Sequence, residues 1–135
     1  MKVMVVDDEP DILFLIEKFL EMEGYEVVKI GSGEECLEKV KEIKPDVILL
    51  DVMMPGIDGW EVCKRLKEDE ETKDIPVILV TVRTSKESIE KSFEYAKCDA
   101  YVGKPIIREE LIGKIKMFAK SSPSSQAFAE YKHRS

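Results

Sequence analysis

The sequence predicts one α/β domain, a five-stranded parallel sheet with helices on both faces. Three observations carry this. Short apolar runs alternate five times with stretches of helical period. Three of the runs, residues 3–6, 47–50 and 77–80, are apolar at every position, as strands buried on both faces must be. Each run is followed by an amphipathic stretch long enough for a crossover helix, and such crossovers make the strands parallel. A chain of 135 residues holds one such domain with a proper core and is too short for two.

The elements follow in order. Val3–Val6 is a β-rich run that ends at Asp7-Asp8. From Pro10 the period becomes helical, with Ile12, Leu15/Ile16, Phe19 and Leu20 on one face. Proline suits the first helical position, where its missing N–H costs nothing, and Gly24 ends the helix. Tyr25–Ile30 carries Glu26 and Lys29 and suits an edge strand. Ser32 with Glu35 is a capping box, opening a helix that turns Cys36/Leu37, Val40 and Ile43 inward before Pro45. Val47–Leu50 ends at Asp51. After Met53-Met54-Pro55-Gly56 a third helix is predicted from about Asp58 to Glu68, burying Val62/Cys63 and Leu66. Val77–Val80 ends at Thr81. Thr84 with Glu87 reads as a second capping box, and Ile89, Phe93 and Ala96 as the inward face that follows. Ala100–Val102 stops just before Lys104-Pro105. A last helix is predicted from about Ile107 to Lys120, with Leu111, Ile115 and Phe118 inward. The domain is placed at residues 1–120. Residues 121–135, which begin Ser-Ser-Pro-Ser-Ser, read as a Ser-rich tail or truncated linker.

Composition narrows the function. The net charge of −7 makes direct nucleic-acid binding a poor fit. No apolar run approaches the roughly 18 residues of a membrane span, and MKVMVVDDEP is no signal peptide, so a cytoplasmic location and no membrane partner are expected. Cys36, Cys63 and Cys98 are odd in number and form no CxxC pair, so they read as buried thiols. Lysine outnumbers arginine 17 to 4, and there is no asparagine. That profile leans toward a thermophile, although three cysteines and six methionines lean the other way.

The chemistry lies at the ends of the runs. Asp7-Asp8, Asp51, Thr81 and Lys104 each stand at or just past the carboxyl end of an apolar run. Parallel strands bring those ends to one sheet edge, where open α/β sheets bind ligands. Three carboxylates together repel, at a cost on the order of 4 kcal/mol per pair about 4 Å apart. Protonation or a bound cation relieves this. An oxygen-only ligand set without histidine favours the cation, with Mg²⁺ the natural ion. A threonine hydroxyl and a lysine ammonium add donors for phosphoryl oxygens. Together these are the parts of a phosphoryl-transfer site. Singly, each residue has a plain structural reading: a strand-end turn for Asp7-Asp8, a cap or turn for Asp51, an N-cap for Thr81 and a solvated surface lysine for Lys104.

The segments VMVVDDEP, ILLDVMMPGIDGWE, VILVT and AYVGKPI resemble the four signature segments of response-regulator receiver domains of two-component signalling, and the likeness covers residues 2 to about 120. The resemblance implies a flavodoxin-like, doubly wound sheet in the order 2-1-3-4-5, the order the receiver fold is known for. It implies that Asp51 is the phosphoacceptor. It implies that Asp8, Asp51 and the Met53 backbone carbonyl ligate Mg²⁺, with Asp7 acting mainly through a bound water. Thr81 and Lys104 would contact the phosphoryl group, and Tyr101 would be the aromatic that turns inward as Thr81 moves. It also implies a cis Lys104–Pro105 bond. The expected partners are a sensor histidine kinase and an output protein bound at the face of the fourth helix, fifth strand and fifth helix (Glu87 to Lys116), with dimerisation on phosphorylation a further expectation. The domain would be no enzyme beyond its own phosphorylation and autodephosphorylation.

Three residues depart from the family pattern. Val82 stands where a small residue is usual, Lys97 where glycine is common, and Gly103 precedes the lysine. Slower phosphorylation or dephosphorylation is expected, Lys97 is expected to change how its helix ends, and Gly103 to loosen the loop carrying Lys104. Met53 and Arg83 sit where the family tunes the hydrolytic water. A metal-dependent phosphohydrolase would need an acid at Met53. A flavodoxin would need a phosphate loop in place of Asp7-Asp8-Glu9, and a kinase or phosphotransfer protein a helical histidine, whereas His133 is the single histidine. A phosphorylation-independent interaction module is the remaining alternative.

Overall fold

The computed structural model describes residues 1–118. Ten elements alternate: β1 (Lys2–Val6), α1 (Pro10–Glu21), β2 (Glu26–Ile30), α2 (Gly33–Ile43), β3 (Val47–Asp51), α3 (Gly59–Glu68), β4 (Val77–Thr81), α4 (Lys86–Glu94), β5 (Ala100–Gly103) and α5 (Arg108–Phe118). The strands form one parallel sheet in the order β2-β1-β3-β4-β5. This is the flavodoxin-like, doubly wound arrangement, with β2 at the edge its charged residues suggested. The tail at residues 121–135 and the end of the last helix at Lys120 lie outside the described residues.

Side-chain alternation along the strands splits the core in two. Val3, Val5, Val47, Leu49, Ile78 and Val80 pack under Ile16 and Leu20 of α1 and Leu111, Ile112 and Ile115 of α5. Met4, Val6, Ile48, Leu50 and Leu79 face the other way, against Cys36 and Val40 of α2 and Trp60, Val62, Cys63 and Leu66 of α3. All three cysteines are buried in that second core as free thiols, and burial pushes each thiol up to about 12. Among the described residues no helix is long and apolar enough to cross a membrane.

Local differences from the sequence reading have physical reasons. Leu15 is 37% exposed, because Leu13 rather than Leu15 shares the stripe of Ile12 and Ile16. The box at Ser32 holds, with Oγ accepting the Glu35 N–H at 3.1 Å, but the Glu35 carboxylate returns to the Gly31 N–H at 2.9 Å. The cap of α4 is Ser85, not Thr84; Ser85 Oγ accepts the Ser88 N–H at 3.2 Å. The buried residues of α4 itself are Ser88 and Ser92; of the expected inward face Ala96 is fully buried and Ile89 half-buried, whereas Phe93 is 42% exposed. Lys97 adopts the left-handed conformation itself, φ 61°, and the Cys98 N–H closes on the Ser92 carbonyl at 3.0 Å. The helix therefore ends in the turn a glycine would have made, so the expectation of a different ending is corrected. The Lys104–Pro105 bond is cis.

Candidate functional site

Strand register builds the site. Val6 pairs with Leu50, so Asp7 and Asp51, one residue further on, stand side by side at the ends of β1 and β3. On the other flank of β3, Asp51 pairs with Val80, placing Thr81 one step beyond, and Thr81 pairs with Gly103, which precedes Lys104. β1 and β3 also flank the point where the chain winds outward in both directions, so the crevice expected of this topology opens here.

Each side chain is held by the end of its own strand. The Asp7 N–H bonds the Ile30 carbonyl at 3.1 Å, and Asp7 Oδ1 accepts the Glu9 N–H at 2.9 Å, a turn that leads into α1. Asp7 and Asp51 are buried, whereas Asp8 faces solvent. Oxygens of Asp7, Asp8 and Asp51 lie within 4.8 Å of one another. Lys104 Nζ reaches across to Asp7 Oδ2 at 3.0 Å and Asp51 Oδ1 at 3.4 Å. Its N–H bonds the Thr81 carbonyl at 2.8 Å, so the residue after Gly103 remains tied to β4 rather than loosened. Thr81 is fully buried, and its Oγ1 accepts the Arg83 N–H at 2.9 Å, leaving the hydroxyl proton for another acceptor.

The electrostatics follow from this crowding. Burial, then the Asp7 charge, raise the Asp51 carboxyl from 3.8 to about 6; Lys104 and the Met53 N–H pull it back only partly. Burial pulls Lys104 down, but its hydrogen bond to Asp7 and the charges of Asp51 and Asp7 outweigh it, so the ammonium ends above its ordinary value. One ammonium against three carboxylates leaves the cluster net negative. Both Asp7 oxygens already have donors, while Asp8 is free and exposed. That donor set fits a hard cation held directly by Asp8 and Asp51 and less directly by Asp7.

The other expected residues lie around this centre. Met53 is 47% exposed, and Arg83 Nε sits 3.3 Å from its sulfur. Val82, the residue after Thr81, is 62% exposed. Tyr101 pairs with Leu79 in β5 and is partly buried against the α2/α3 core. One residue was missed by sequence reasoning. A Cβ at Gly59 would lie 2.1 Å from the Asp51 carbonyl oxygen and 2.7 Å from Val52 Cα. The Gly59 N–H also bonds the Val52 carbonyl at 2.9 Å, so α3 begins directly on the strand end that carries Asp51. The Asp58-Gly59 pair just ahead of a helical period was the available signal.

Comparison with known proteins gives a consistent result. Residues 3–116 match the model of the response regulator receiver domain. The polar-differentiation response regulator DivK of Brucella ovis is 40% identical over 116 residues, which cover 86% of this chain and 94% of that protein. The DNA-binding response regulator MtrA of Mycolicibacterium smegmatis is 33% identical over 115 residues, covering 85% of this chain and 49% of that longer protein. The crystal structure of the chemotaxis protein CheY4 of Vibrio cholerae superposes with a TM-score of 0.81 at 30% identity, covering 87% of this chain and 97% of the other.

Proposed function

Since the chain belongs to the response regulator receiver domain family and is a receiver domain of two-component signalling, we propose that it is a Mg²⁺-dependent phosphoacceptor whose reacting group is the Asp51 carboxylate. The observation that carries this is the meeting of Asp7, Asp8 and Asp51 oxygens within 4.8 Å, with Lys104 joining Asp7 to Asp51. Two of the three acids are buried, and three carboxylates against one ammonium favour a further cation.

The residues divide the work. Asp8, Asp51 and the Met53 backbone carbonyl would hold Mg²⁺, with Asp7 reaching it through water. Bound there, Mg²⁺ supplies the positive charge that lets carboxylates and phosphoryl oxygens share one pocket. Asp51, raised only to about 6, is ionised at neutral pH and supplies the attacking oxygen. The new bond joins that oxygen to phosphorus. The phosphorus–nitrogen bond of a phosphohistidine breaks, and its electron pair leaves with the imidazole of a sensor histidine kinase. Lys104 is already aimed at Asp51 and pairs with the incoming oxygens. The Thr81 hydroxyl proton donates to another of them, and Tyr101 follows Thr81 inward. The domain turns over only its own phosphoryl group. Its state is read by an output partner at the face of α4, β5 and α5, from Glu87 to Lys116, and dimerisation on phosphorylation is one form that reading takes.

The test is incubation with acetyl phosphate and Mg²⁺, followed by intact mass. A gain of one phosphoryl group that disappears with EDTA and in Asp51→Asn is expected. No gain under any donor and metal condition would leave the phosphorylation-independent module as the better reading.

A further inference from the structure

Helix α4 is held by polar contacts. Its two buried residues are Ser88 and Ser92, while Phe93 and Tyr95 are exposed. Buried serines contribute little hydrophobic free energy, so specific bonds must fix the helix. Trp60 Nε1 donates to Ser92 Oγ at 3.0 Å, and the Ser92 hydroxyl donates to the Ser88 carbonyl at 2.9 Å. The Lys91 ammonium lies 4.3 Å from the centre of the Trp60 ring. The Tyr95 hydroxyl donates to Glu61 at 2.8 Å. All but the Ser92–Ser88 bond cross from the first turn of α3 to α4 or to Tyr95, the residue that caps its carboxyl end.

The near end of this contact is fixed to Asp51. Gly59 touches the Asp51 and Val52 backbone so closely that a Cβ would meet the Asp51 carbonyl oxygen at 2.1 Å, and Trp60 is the next residue. Beside the indole lies an open cleft of about 470 Å³, with Met53, Met54, Pro55 and Arg83 in its walls. Trp60 itself borders this cleft.

We propose that the Trp60–Ser92 contact is a latch coupling the phosphorylation state of Asp51 to the position of α4. It rests on the reading of Asp51 as phosphoacceptor. The latch is closed in the structure described here and opens when Asp51 carries a phosphoryl group. It approaches α4 from α3, and so acts beside the Thr81 and Tyr101 route through β4 and β5. Whatever loosens the latch then favours occupancy at Asp51, because coupling between sites is reciprocal.

The test uses Trp60, the single tryptophan, as reporter. Acetyl phosphate with Mg²⁺ is the donor, intact mass scores phosphorylation, and indole fluorescence with hydrogen exchange of residues 86–94 scores the latch in the same sample. Both latch signals are expected to change in proportion to the phosphorylated fraction. Ser92→Ala leaves the indole N–H without its acceptor, and is expected to raise α4 exchange about fivefold before any donor is added. Beryllofluoride with Mg²⁺, a reversible stand-in for the phosphoryl group, should bind that variant about fivefold more tightly. Trp60→Phe in the Ser92→Ala background should add nothing further. Phosphorylation with no change in indole signal or α4 exchange overturns the latch and leaves Asp51 as phosphoacceptor; no phosphorylation at all overturns both. Unchanged beryllofluoride affinity in Ser92→Ala, or additive effects of the two substitutions, also overturns the latch. Should Ser92→Ala not fold, Tyr95→Phe at its exposed position removes the parallel bond to Glu61 and is expected to act in the same direction by a smaller factor, with no change counting against the latch.

Discussion

Replacing Asp51 by asparagine is expected to stabilise the fold at pH 8 when divalent cations are chelated. The carboxyl is buried beside Asp7 and raised from 3.8 to about 6. A carboxyl raised on folding takes up its proton earlier in the native state than in the unfolded chain. Its contribution to stability is therefore complete below about pH 4, is lost as pH rises through about 6, and stays lost above pH 7. A shift of that size corresponds to roughly 3 kcal/mol. Asparagine has nearly the same shape and no charge to desolvate. Lys104 loses its 3.4 Å partner but keeps Asp7 at 3.0 Å, which trims the gain. The variant is expected to be more stable by about 2 kcal/mol at pH 8, or several degrees in Tm. Urea melts of both proteins in EDTA, from pH 8 down to pH 4, measure the difference and cancel titrations the two share. The gap should close as pH falls through 6. Added Mg²⁺ should narrow it at pH 8 by stabilising only the protein that keeps the full carboxylate set. Equal stabilities at pH 8 in EDTA, or a gap that widens toward acid, would refute the reasoning.

Three further substitutions probe the frame around the site. Gly59→Ala should destabilise by about 3 kcal/mol or more, since its Cβ would meet the Asp51 carbonyl at 2.1 Å and neither backbone can yield cheaply; thermal melts with an unchanged Tm would contradict this. Lys97→Gly should stabilise by roughly 1 kcal/mol by relieving the left-handed backbone at φ 61°, and a fall in urea midpoint would show that the lysine side chain matters more than its backbone. Val82→Ala should raise the rate of phosphorylation by acetyl phosphate, by less than roughly tenfold, because Val82 directly follows Thr81 at the end of β4 and its side chain is largely exposed; an unchanged rate removes Val82 as an access control.

The sheet was legible because its central strands are buried on both faces. Residues 3–6, 47–50 and 77–80 leave no polar position for an alternative reading, and their carboxyl ends located Asp7, Asp51 and Thr81. The helices were legible in position but less so in rotation. Leu15 and Phe93 are apolar by composition and exposed in fact, because the stripe that each helix buries is set by its neighbours. Nothing in the sequence marked Ser88 and Ser92 as inward, because the partner of Ser92, Trp60, lies 32 positions away. The cap of α4 fell one residue late for a similar reason, since Thr84 and Ser85 are chemically interchangeable as caps. The raised Asp51 carboxyl could be anticipated only as repulsion between acids. Its largest cause is burial, which is a property of the folded chain. The close approach at Gly59 was equally invisible, because it joins a helix start to the backbone eight residues earlier.

The most direct test of Asp51 as the switch residue is reductive trapping. The protein is incubated with acetyl phosphate and Mg²⁺, treated with borohydride and mapped as peptides. An aspartyl phosphate is reduced to homoserine, and free carboxylates are not. Homoserine at position 51, dependent on both donor and metal, is the predicted result. Homoserine at Asp7, Asp8 or another acid, or none anywhere in a folded Mg²⁺-bound protein, would contradict it.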